Sequence, residues 1–375
     1  MVDYLIRVEN SSKTISNFKY FLNFYFRKHF TGFFVSLLSY PDVSMPVVRS
    51  SNHNPPFWLP NGHLQTIYPS LFRKINSVDY QRERIVTPDH DFLDLDWSLA
   101  TKKMEFKHKN KLVILSHGLE GNSTRQYILG MVRFLNAEGY DCLAWNFRSC
   151  SGEMNKTSRF YHSGATEDLD LVICNAFEKG YTHVDLMGFS LGGNLTLKYL
   201  GEQNTRTDSR IKKSVVFSVP MDLKACSLAI VKPENRIYQS RFLRTLKPKV
   251  DQKAVHFPAD IKPADFKFVN TLYDFDDIFT APLHGFQNAD HYYAMCSAMF
   301  FVENITIPTL IVNAANDPIV PENSLPASLI ETLPNVLLEI SDFGGHCGFR
   351  PSGLSQTNYW SELRALEFLG SKFLL

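Results

Sequence analysis

The residues best suited to chemistry surround one hydroxyl, Ser190, within the sequence Gly-Phe-Ser-Leu-Gly-Gly of residues 188–193. The residues before it, from Val184, are apolar enough for a buried strand, and the residues after it have the pattern of a helix. A Gly-x-Ser-x-Gly at such a corner is typical of a nucleophile elbow, where a strained backbone projects the serine Oγ above a sheet. Side chains at 188 and 192 would collide with the crossing helix, so both positions need glycine. The pattern predicts that Ser190 is a nucleophile.

A serine nucleophile needs a general base, and the base needs an acid that orients it. With this kind of elbow, the acid and then the histidine follow the serine in the chain, each after a late strand. Asp317 follows the apolar run TLIVNA, and His346 lies in a glycine-rich loop after the next run, VLLEIS. Taken singly, Asp317 could cap a helix and His346 could be an ordinary loop residue. Their order after Ser190 predicts a catalytic triad of Ser190, His346 and Asp317.

Acyl transfer also requires two backbone N–H groups that stabilise an oxyanion. The residue after the nucleophile, Leu191, supplies one of them in this kind of site. A loop after an earlier strand supplies the other, and in SHGLEG, which begins at Ser116, we assign it to Leu119. We expect His117 to organise this loop rather than to act as a base.

The elements that position these residues are eight strand-like runs that alternate with helical patterns. Two runs near Arg84 and Asp91 predict an antiparallel pair around the turn Pro88-Asp89-His90. The other six lack polar alternation, which is typical of parallel strands covered on both faces. They are KLVILSHG, DCLAWN, HVDLMG, KKSVVFS, TLIVNA and VLLEIS. The sequence therefore predicts an α/β fold of the α/β-hydrolase kind, with a mostly parallel eight-stranded sheet and helices on both faces.

In the last predicted helix, near 358–373, the spacing places four apolar residues on one buried face: Trp360, Leu363, Leu366 and Leu369. Between about 221 and 304 no comparable strand pattern occurs, so we expect a mainly helical insertion. Its apolar side chains could line an acyl channel, or they could form the core of the insertion itself. The candidates are Phe242, Leu243, Phe275, Phe279, Leu283, Phe286, Tyr292 and Tyr293.

The first 44 of the 375 residues form an N-terminal extension that is dense in aromatic residues and is interrupted by Arg27, Lys28 and His29. Its longest apolar run, residues 30–40, is too short to span a bilayer as a helix. Two interpretations remain open: the segment contacts a membrane peripherally, or translation begins at Met45 and the segment is not part of the mature protein. The hydrolase domain is expected over 45–375.

Charge and cysteine usage exclude several classes of function. The net charge of +1 gives no indication of nucleic-acid binding. The six cysteines form no CxxC pair, and no spacing of cysteine and histidine suggests zinc, so we expect no metal and no cofactor. The same cysteine usage favours a reducing compartment, which makes a cytoplasmic protein the expectation.

The chain resembles the AB-hydrolase 4 family of α/β-hydrolases, which contains the bacterial YheT-like hydrolases and eukaryotic relatives that act on lipid esters. The similar stretches are NGHLQTIYP, HGLEGNS, NFRSCSGEMN, YHSGATEDL, GFSLGGN and DFDDIFTAPLHGF, and the resemblance extends from about residue 55 to 369. It implies the same triad and an esterase or lipase-like activity. It leaves the substrate open. Three of these stretches contain polar clusters, at 61–65, 148–152 and 161–164, that we expect to brace the loops of the site.

The sequence therefore predicts a serine hydrolase that cleaves carboxylic esters, of medium acyl chains or lipids, through an acyl-enzyme. Two alternatives remain open from the residues alone. An acyltransferase would use the same acyl-enzyme and pass the acyl group to an alcohol. A non-catalytic protein would keep the pocket for ligand binding only. The acyl chain length, the head group and the oligomeric state stay undetermined.

Overall fold

The computed structural model describes residues 46–49, 51–76, 78–100, 111–353 and 357–371. The expectations for the N-terminal extension lie outside these residues. Within them, nine strands form one sheet in the order β1-β9-β8-β7-β6-β4-β5-β3-β2. Their bounds are β1 Val47–Val48, β2 Gln81–Val86, β3 Phe92–Ser98, β4 Lys111–Ser116, β5 Asp141–Asn146, β6 His183–Phe189, β7 Ile211–Phe217, β8 Thr309–Ala314 and β9 Val336–Ser341.

The sheet is parallel except at one edge. There β2 pairs antiparallel with β3, and β3 pairs antiparallel with β5, which confirms the predicted hairpin. All eight predicted strands are present. The ninth, β1, pairs with β9 through only two residues, Val47 with Leu338 and Val48 with Glu339. Two residues are too few to give a periodic pattern, so this strand could be found only from its partner.

Eleven α-helices lie in the described part of the chain, and most of them connect the strands. Their bounds are α1 Gly62–Phe72, α2 Gln126–Ala137, α3 Thr166–Glu178, α4 Leu191–Gln203, α5 Leu223–Ile230, α6 Arg236–His256, α7 Leu272–Phe275, α8 Ala281–Leu283, α9 Ala289–Cys296, α10 Ala327–Ile330 and α11 Trp360–Gly370. A single π-helical turn, Asp276–Thr280, joins α7 to α8. Of the described helices, none is both long enough and apolar enough to cross a membrane.

Alternate residues of each central strand enter two separate cores, one on each face of the sheet. In β4, Leu112 and Ile114 pack with residues of α3 and α4. Val113 and Leu115 pack instead with residues of α2 and α11. Burial on both faces explains why the strands lack polar alternation. The parallel pairing of these strands places the carboxyl ends of β4, β6, β8 and β9 at a common edge, where the loops of the site begin.

The predicted buried face of α11 is partly wrong. Leu363 is 48% exposed, whereas Ala365 and Phe368 are buried. The helix is rotated because Glu362 points inward, where its carboxylate pairs with Arg73 at 2.5 Å. A small residue and a buried acid therefore lie on the inner face, and neither contributes to an apolar pattern.

Helices α5 to α9 lie between β7 and β8 and contain two small cores of their own. One core includes Leu246, Val250, Phe275 and Phe279, together with Phe160 from the loop before α3. The other includes Leu223, Tyr292, Tyr293 and Cys296.

Candidate active site

Ser190 lies at the corner between β6 and α4 in a strained conformation, with φ 53° and ψ −121°. Positive φ is unfavourable for a residue with a Cβ, so the surrounding structure must hold it there. Two close backbone approaches explain the flanking glycines, one by the start of α4 and one by the end of β4. A Cβ on Gly188 would lie 2.4 Å from the Gly192 carbonyl oxygen, and one on Gly192 would lie 2.4 Å from the Ser116 oxygen.

The structure brings the three predicted triad residues into one hydrogen-bonded chain. His346 Nε2 lies 2.9 Å from Ser190 Oγ, and His346 Nδ1 lies 2.9 Å from Asp317 Oδ2. The Asp317 side chain is fully buried, and its other oxygen accepts the N–H groups of Ile319 and Val320 at 2.8 and 3.0 Å. The carboxylate is therefore fixed in direction, which in turn fixes the imidazole.

Helix α1 holds the loops that carry the acid and the base. The Gln65 amide oxygen accepts from Asn316 Nδ2 and from the Gly344 N–H, at 3.1 and 2.7 Å. The neighbouring Thr66 hydroxyl accepts the N–H of His346 at 2.8 Å. These bonds tie the loop after β8 to the loop after β9. The polar cluster at 61–65 thus has the bracing contacts that the sequence suggested.

The two N–H groups predicted for the oxyanion have no protein acceptor among the described residues. In the loop after β4, the neighbours of Leu119 are both occupied, since Gly118 N–H donates to Tyr127 Oη at 3.0 Å and Glu120 N–H donates to Tyr161 Oη at 2.8 Å. Leu191 is the first residue of α4, where an N–H has no partner within its own helix. Leu119 and Leu191 line one cavity together with Ser190 and His346.

A buried network fixes the loop that contains Leu119. Glu120 has a φ of 54°, and its carboxylate accepts from Tyr161 Oη at 2.8 Å and from Lys249 Nζ at 2.7 Å. Lys249 belongs to α6, so a helix between β7 and β8 is bonded directly to this loop. His117 is fully buried with Nδ1 2.8 Å from the Gly118 oxygen, while its Nε2 accepts the Phe147 N–H at 3.1 Å. Burial lowers the pKa of His117 to about 3, which fits a loop organiser.

Arg148 is the centre of a second buried network. Its guanidinium donates two bonds of 2.8 Å to Asp168, and also bonds Asp89 at 2.8 Å and Asp91 at 3.1 Å. Burial alone would raise the pKa of Asp91, but hydrogen bonds from Asn155 and neighbouring groups lower it to about 2. Arg148, the one residue of the cluster at 148–152 with these bonds, thus joins the β2–β3 turn to the start of α3.

The cavity beside Ser190 is lined mostly by apolar side chains from the helices between β7 and β8. Of the eight candidates for an acyl channel, four line it: Phe242, Phe275, Tyr292 and Tyr293. Three of these, Phe275, Tyr292 and Tyr293, also belong to the small cores. The other four pack in the small cores and do not line the cavity: Leu243, Phe279, Leu283 and Phe286.

Sequence reasoning missed other residues of the lining, above all two polar ones, His162 and Asp276. Both belong to stretches that carried the family resemblance, YHSGATEDL and DFDDIFTAPLHGF, but no spacing rule relates them. In the described part of the chain, no three histidine, cysteine or acidic side chains gather as metal ligands do.

A family model for the α/β-hydrolase fold matches residues 111–350. The chain belongs to the α/β-hydrolase family. This hydrolase is 36% identical over 313 residues to the putative esterase YheT of Escherichia coli, covering 82% of this chain and 90% of that protein. It is 31% identical over 310 residues to the human phospholipase ABHD3, covering 81% of this chain and 75% of that protein.

A monoacylglycerol lipase of Saccharomyces cerevisiae is 27% identical to this hydrolase over 344 residues, covering 78% of this chain and 74% of that protein. Among solved structures, the esterase PF2001 of Pyrococcus furiosus superposes with a TM-score of 0.51 at 19% identity, covering 78% of this chain and 91% of that one, which shows a shared fold. The resemblance to the YheT-like group is confirmed. The enzyme is a hydrolase of the carboxylesterase and lipase type.

Proposed function

We propose that this enzyme hydrolyses carboxylic esters of medium-length acyl chains through an acyl-enzyme on Ser190. The observation that carries the proposal is the hydrogen-bonded chain from Asp317 through His346 to Ser190, beside two unoccupied N–H groups. In this proposal, His346 Nε2 removes the Ser190 proton as Oγ attacks the ester carbon. Asp317 keeps Nε2 directed at the serine and stabilises the imidazolium that forms.

The tetrahedral intermediate carries a negative oxygen, which the N–H groups of Leu119 and Leu191 would bind. The imidazolium of His346 then protonates the departing alcohol oxygen, and the carbon–oxygen bond of the ester breaks. A water molecule takes the place of the alcohol, and His346 removes its proton as it attacks the acyl-enzyme. The acid leaves, and Ser190 regains its proton.

The volume of the cavity is one reason to propose acyl groups of intermediate length. Its volume is about 130 Å³, comparable with an engineered apolar cavity of roughly 150 Å³ that holds one benzene molecule. That space suits one hydrocarbon segment better than two long chains. The named relatives include a phospholipase and a monoacylglycerol lipase, which is consistent with an ester of a fatty acid as substrate.

Labelling with a fluorophosphonate probe tests the nucleophile. We expect one labelled residue, and we expect Ser190→Ala to abolish labelling and to lower kcat by roughly 10⁴–10⁶. The matched control is Ser240→Ala, because Ser240 is an exposed serine on α6. Persistent labelling of the Ser190→Ala protein would show that another residue is the nucleophile.

A series of esters of one alcohol tests the acyl preference. Each CH₂ that enters the cavity contributes up to ~0.8 kcal/mol, so kcat/KM should rise by up to roughly fourfold per carbon until the cavity is full. We expect hexanoyl or octanoyl esters to exceed acetyl esters, with a decline beyond a cutoff. Faster cleavage of the acetyl ester would rule out an acyl channel here.

A further inference from the structure

One polar group of the cavity, the imidazole of His162, has a hydrogen-bond donor with no partner. His162 is only 8% exposed, and its Nδ1 accepts the N–H of Gly164 at 3.2 Å. Burial lowers the pKa of His162 well below its ordinary value, so the ring is neutral. Because Nδ1 accepts a hydrogen bond, the single ring proton lies on Nε2. No acceptor for Nε2–H is found among the described residues.

A second polar group of the same cavity, Asp276, supplies a hydrogen-bond acceptor. It lies at the start of the π-helical turn, a rare geometry that is frequent at functional sites. Its oxygens accept from Thr280 Oγ1 at 2.7 Å and from Tyr293 Oη at 2.8 Å. Each carboxylate oxygen can accept more than one bond. No cationic side chain of the described residues pairs with it, and burial raises its pKa to about 6.

Tyrosine rings connect the two groups. The ring of Tyr292 lies 5.8 Å from that of His162 and 5.2 Å from that of Tyr293, whose hydroxyl donates to Asp276. The mechanism proposed above uses neither His162 nor Asp276. An unpaired donor and an acceptor with spare capacity thus face a cavity that is otherwise mainly apolar.

We propose that His162 and Asp276 form a subsite for a hydroxyl group of the substrate. A hydroxyl both accepts a bond, from His162 Nε2–H, and donates one, to Asp276. A carboxylate would be repelled by Asp276, and an ammonium group could not accept from His162. The proposal rests on the proposed ester hydrolysis and names a feature of its substrate. The hydroxyl belongs either to the acyl chain or to the alcohol.

Matched pairs of esters separate these two sources. One pair is the methyl ester of a hydroxyoctanoic acid against methyl octanoate. The other pair is glycerol monooctanoate against propyl octanoate. Hydrogen bonds to charged groups are stronger than those between neutral groups, so we expect kcat/KM at least about tenfold higher for the hydroxylated member of one pair. The pair that shows this preference identifies the source.

Two variants then test His162 and Asp276. The readout is the kcat/KM of the hydroxylated ester divided by that of its unhydroxylated partner, in the pair that shows the preference. His162→Phe keeps an aromatic ring and removes the donor, and Asp276→Asn removes the charge and one acceptor oxygen. Each should reduce the ratio by about tenfold. Asp277→Asn is the matched control, because the neighbouring Asp277 accepts the N–H of Ala289 and does not line the cavity. It should leave the ratio unchanged.

Fluorophosphonate labelling of each variant shows that the site is still folded. A wild-type ratio below threefold in both pairs, or a ratio unchanged in both variants, overturns the hydroxyl subsite. Neither result would affect Ser190, since cleavage of the unhydroxylated esters and labelling are measured separately. Loss of both cleavage and labelling in the wild type would instead overturn the proposed function.

Discussion

The pair formed by Lys249 and Glu120 gives a quantitative test of how the helices between β7 and β8 support the loop after β4, which contains Leu119. The Nζ–Oε1 distance is 2.7 Å, and the side chains are 17% and 6% exposed. Removing one partner of a buried pair costs about 3–5 kcal/mol, because a charge is left buried without compensation. Since Lys249 keeps some exposure, we expect Lys249→Met to lower the free energy of unfolding by about 3 kcal/mol, at the lower end of this range.

The double variant Lys249→Met with Glu120→Gln should lose less free energy of unfolding than the sum of the losses in the two single variants. Glutamine carries no charge, so the loss of the lysine no longer leaves an unpaired carboxylate. Glutamine still offers an oxygen to Lys249, which is partly exposed, so we expect Glu120→Gln alone to cost about 1–2 kcal/mol. We expect the double variant to cost about the same, which gives a coupling energy of about 3 kcal/mol. Urea unfolding of the four proteins measures it. Lys247→Met is the control, because Lys247 is half exposed and pairs with Asp251 one turn along the helix, so it should cost under about 0.5 kcal/mol.

The same variants should affect turnover. If Lys249 holds Glu120, and Glu120 holds the loop that carries the Leu119 N–H, then Lys249→Met should lower kcat more than it changes KM. The loss should stay below the 10²–10³ that follows removal of a whole oxyanion donor. The idea that α6 positions this loop would be refuted by two results together. The losses of unfolding free energy in the two single variants would add to that of the double variant within about 0.5 kcal/mol, and kcat would be unchanged.

Two further predictions concern the elbow and the acid sensitivity of the fold. Gly192→Ala should lower stability by about 1–3 kcal/mol and also lower kcat, since the new methyl would meet the backbone oxygen of Ser116 at 2.4 Å. Gly370→Ala, which meets nothing within 4 Å, should instead stabilise the protein by up to about 1 kcal/mol in thermal or urea unfolding. Asp91 has its pKa lowered to about 2, below the ordinary value near 4, so its contribution to stability is complete above pH about 4 and is lost as the pH falls through 2. Urea midpoints should fall over that window, and less steeply in Asp91→Asn; equal slopes for the two proteins would contradict this account.

The elbow around Ser190 is an example of structure that local sequence patterns are sufficient to predict. A continuous apolar run, a corner with glycines and a helical pattern are all properties of neighbouring residues, and they were sufficient to predict the β6–Ser190–α4 unit. Parallel strands carry their loops to a common edge. The positions of Asp317 and His346 after late strands therefore predicted that they would meet Ser190, and the structure places them together at hydrogen-bond distances.

Other features had no local pattern to reveal them. Strand β1 is too short to show periodicity, and the rotation of α11 depends on Glu362 meeting Arg73, 289 residues earlier in the chain. The bond between Lys249 and Glu120 joins residues 129 apart. Charged residues are usually on the surface, so there was no reason in the sequence to predict that Glu362 and Glu120 are buried and Lys249 mostly so.

The sequence by itself determined eight of the nine strands, the elbow and the identity of the candidate triad, because apolar runs and glycine corners encode burial and turns locally. Only the tertiary structure decided which polar side chains face the cavity. His162 precedes α3, whereas Asp276 lies in the π-helical turn between α7 and α8, and their positions depend on how long connections fold back over the sheet edge. No periodicity encodes that path, since it follows from the packing of whole helices against one another.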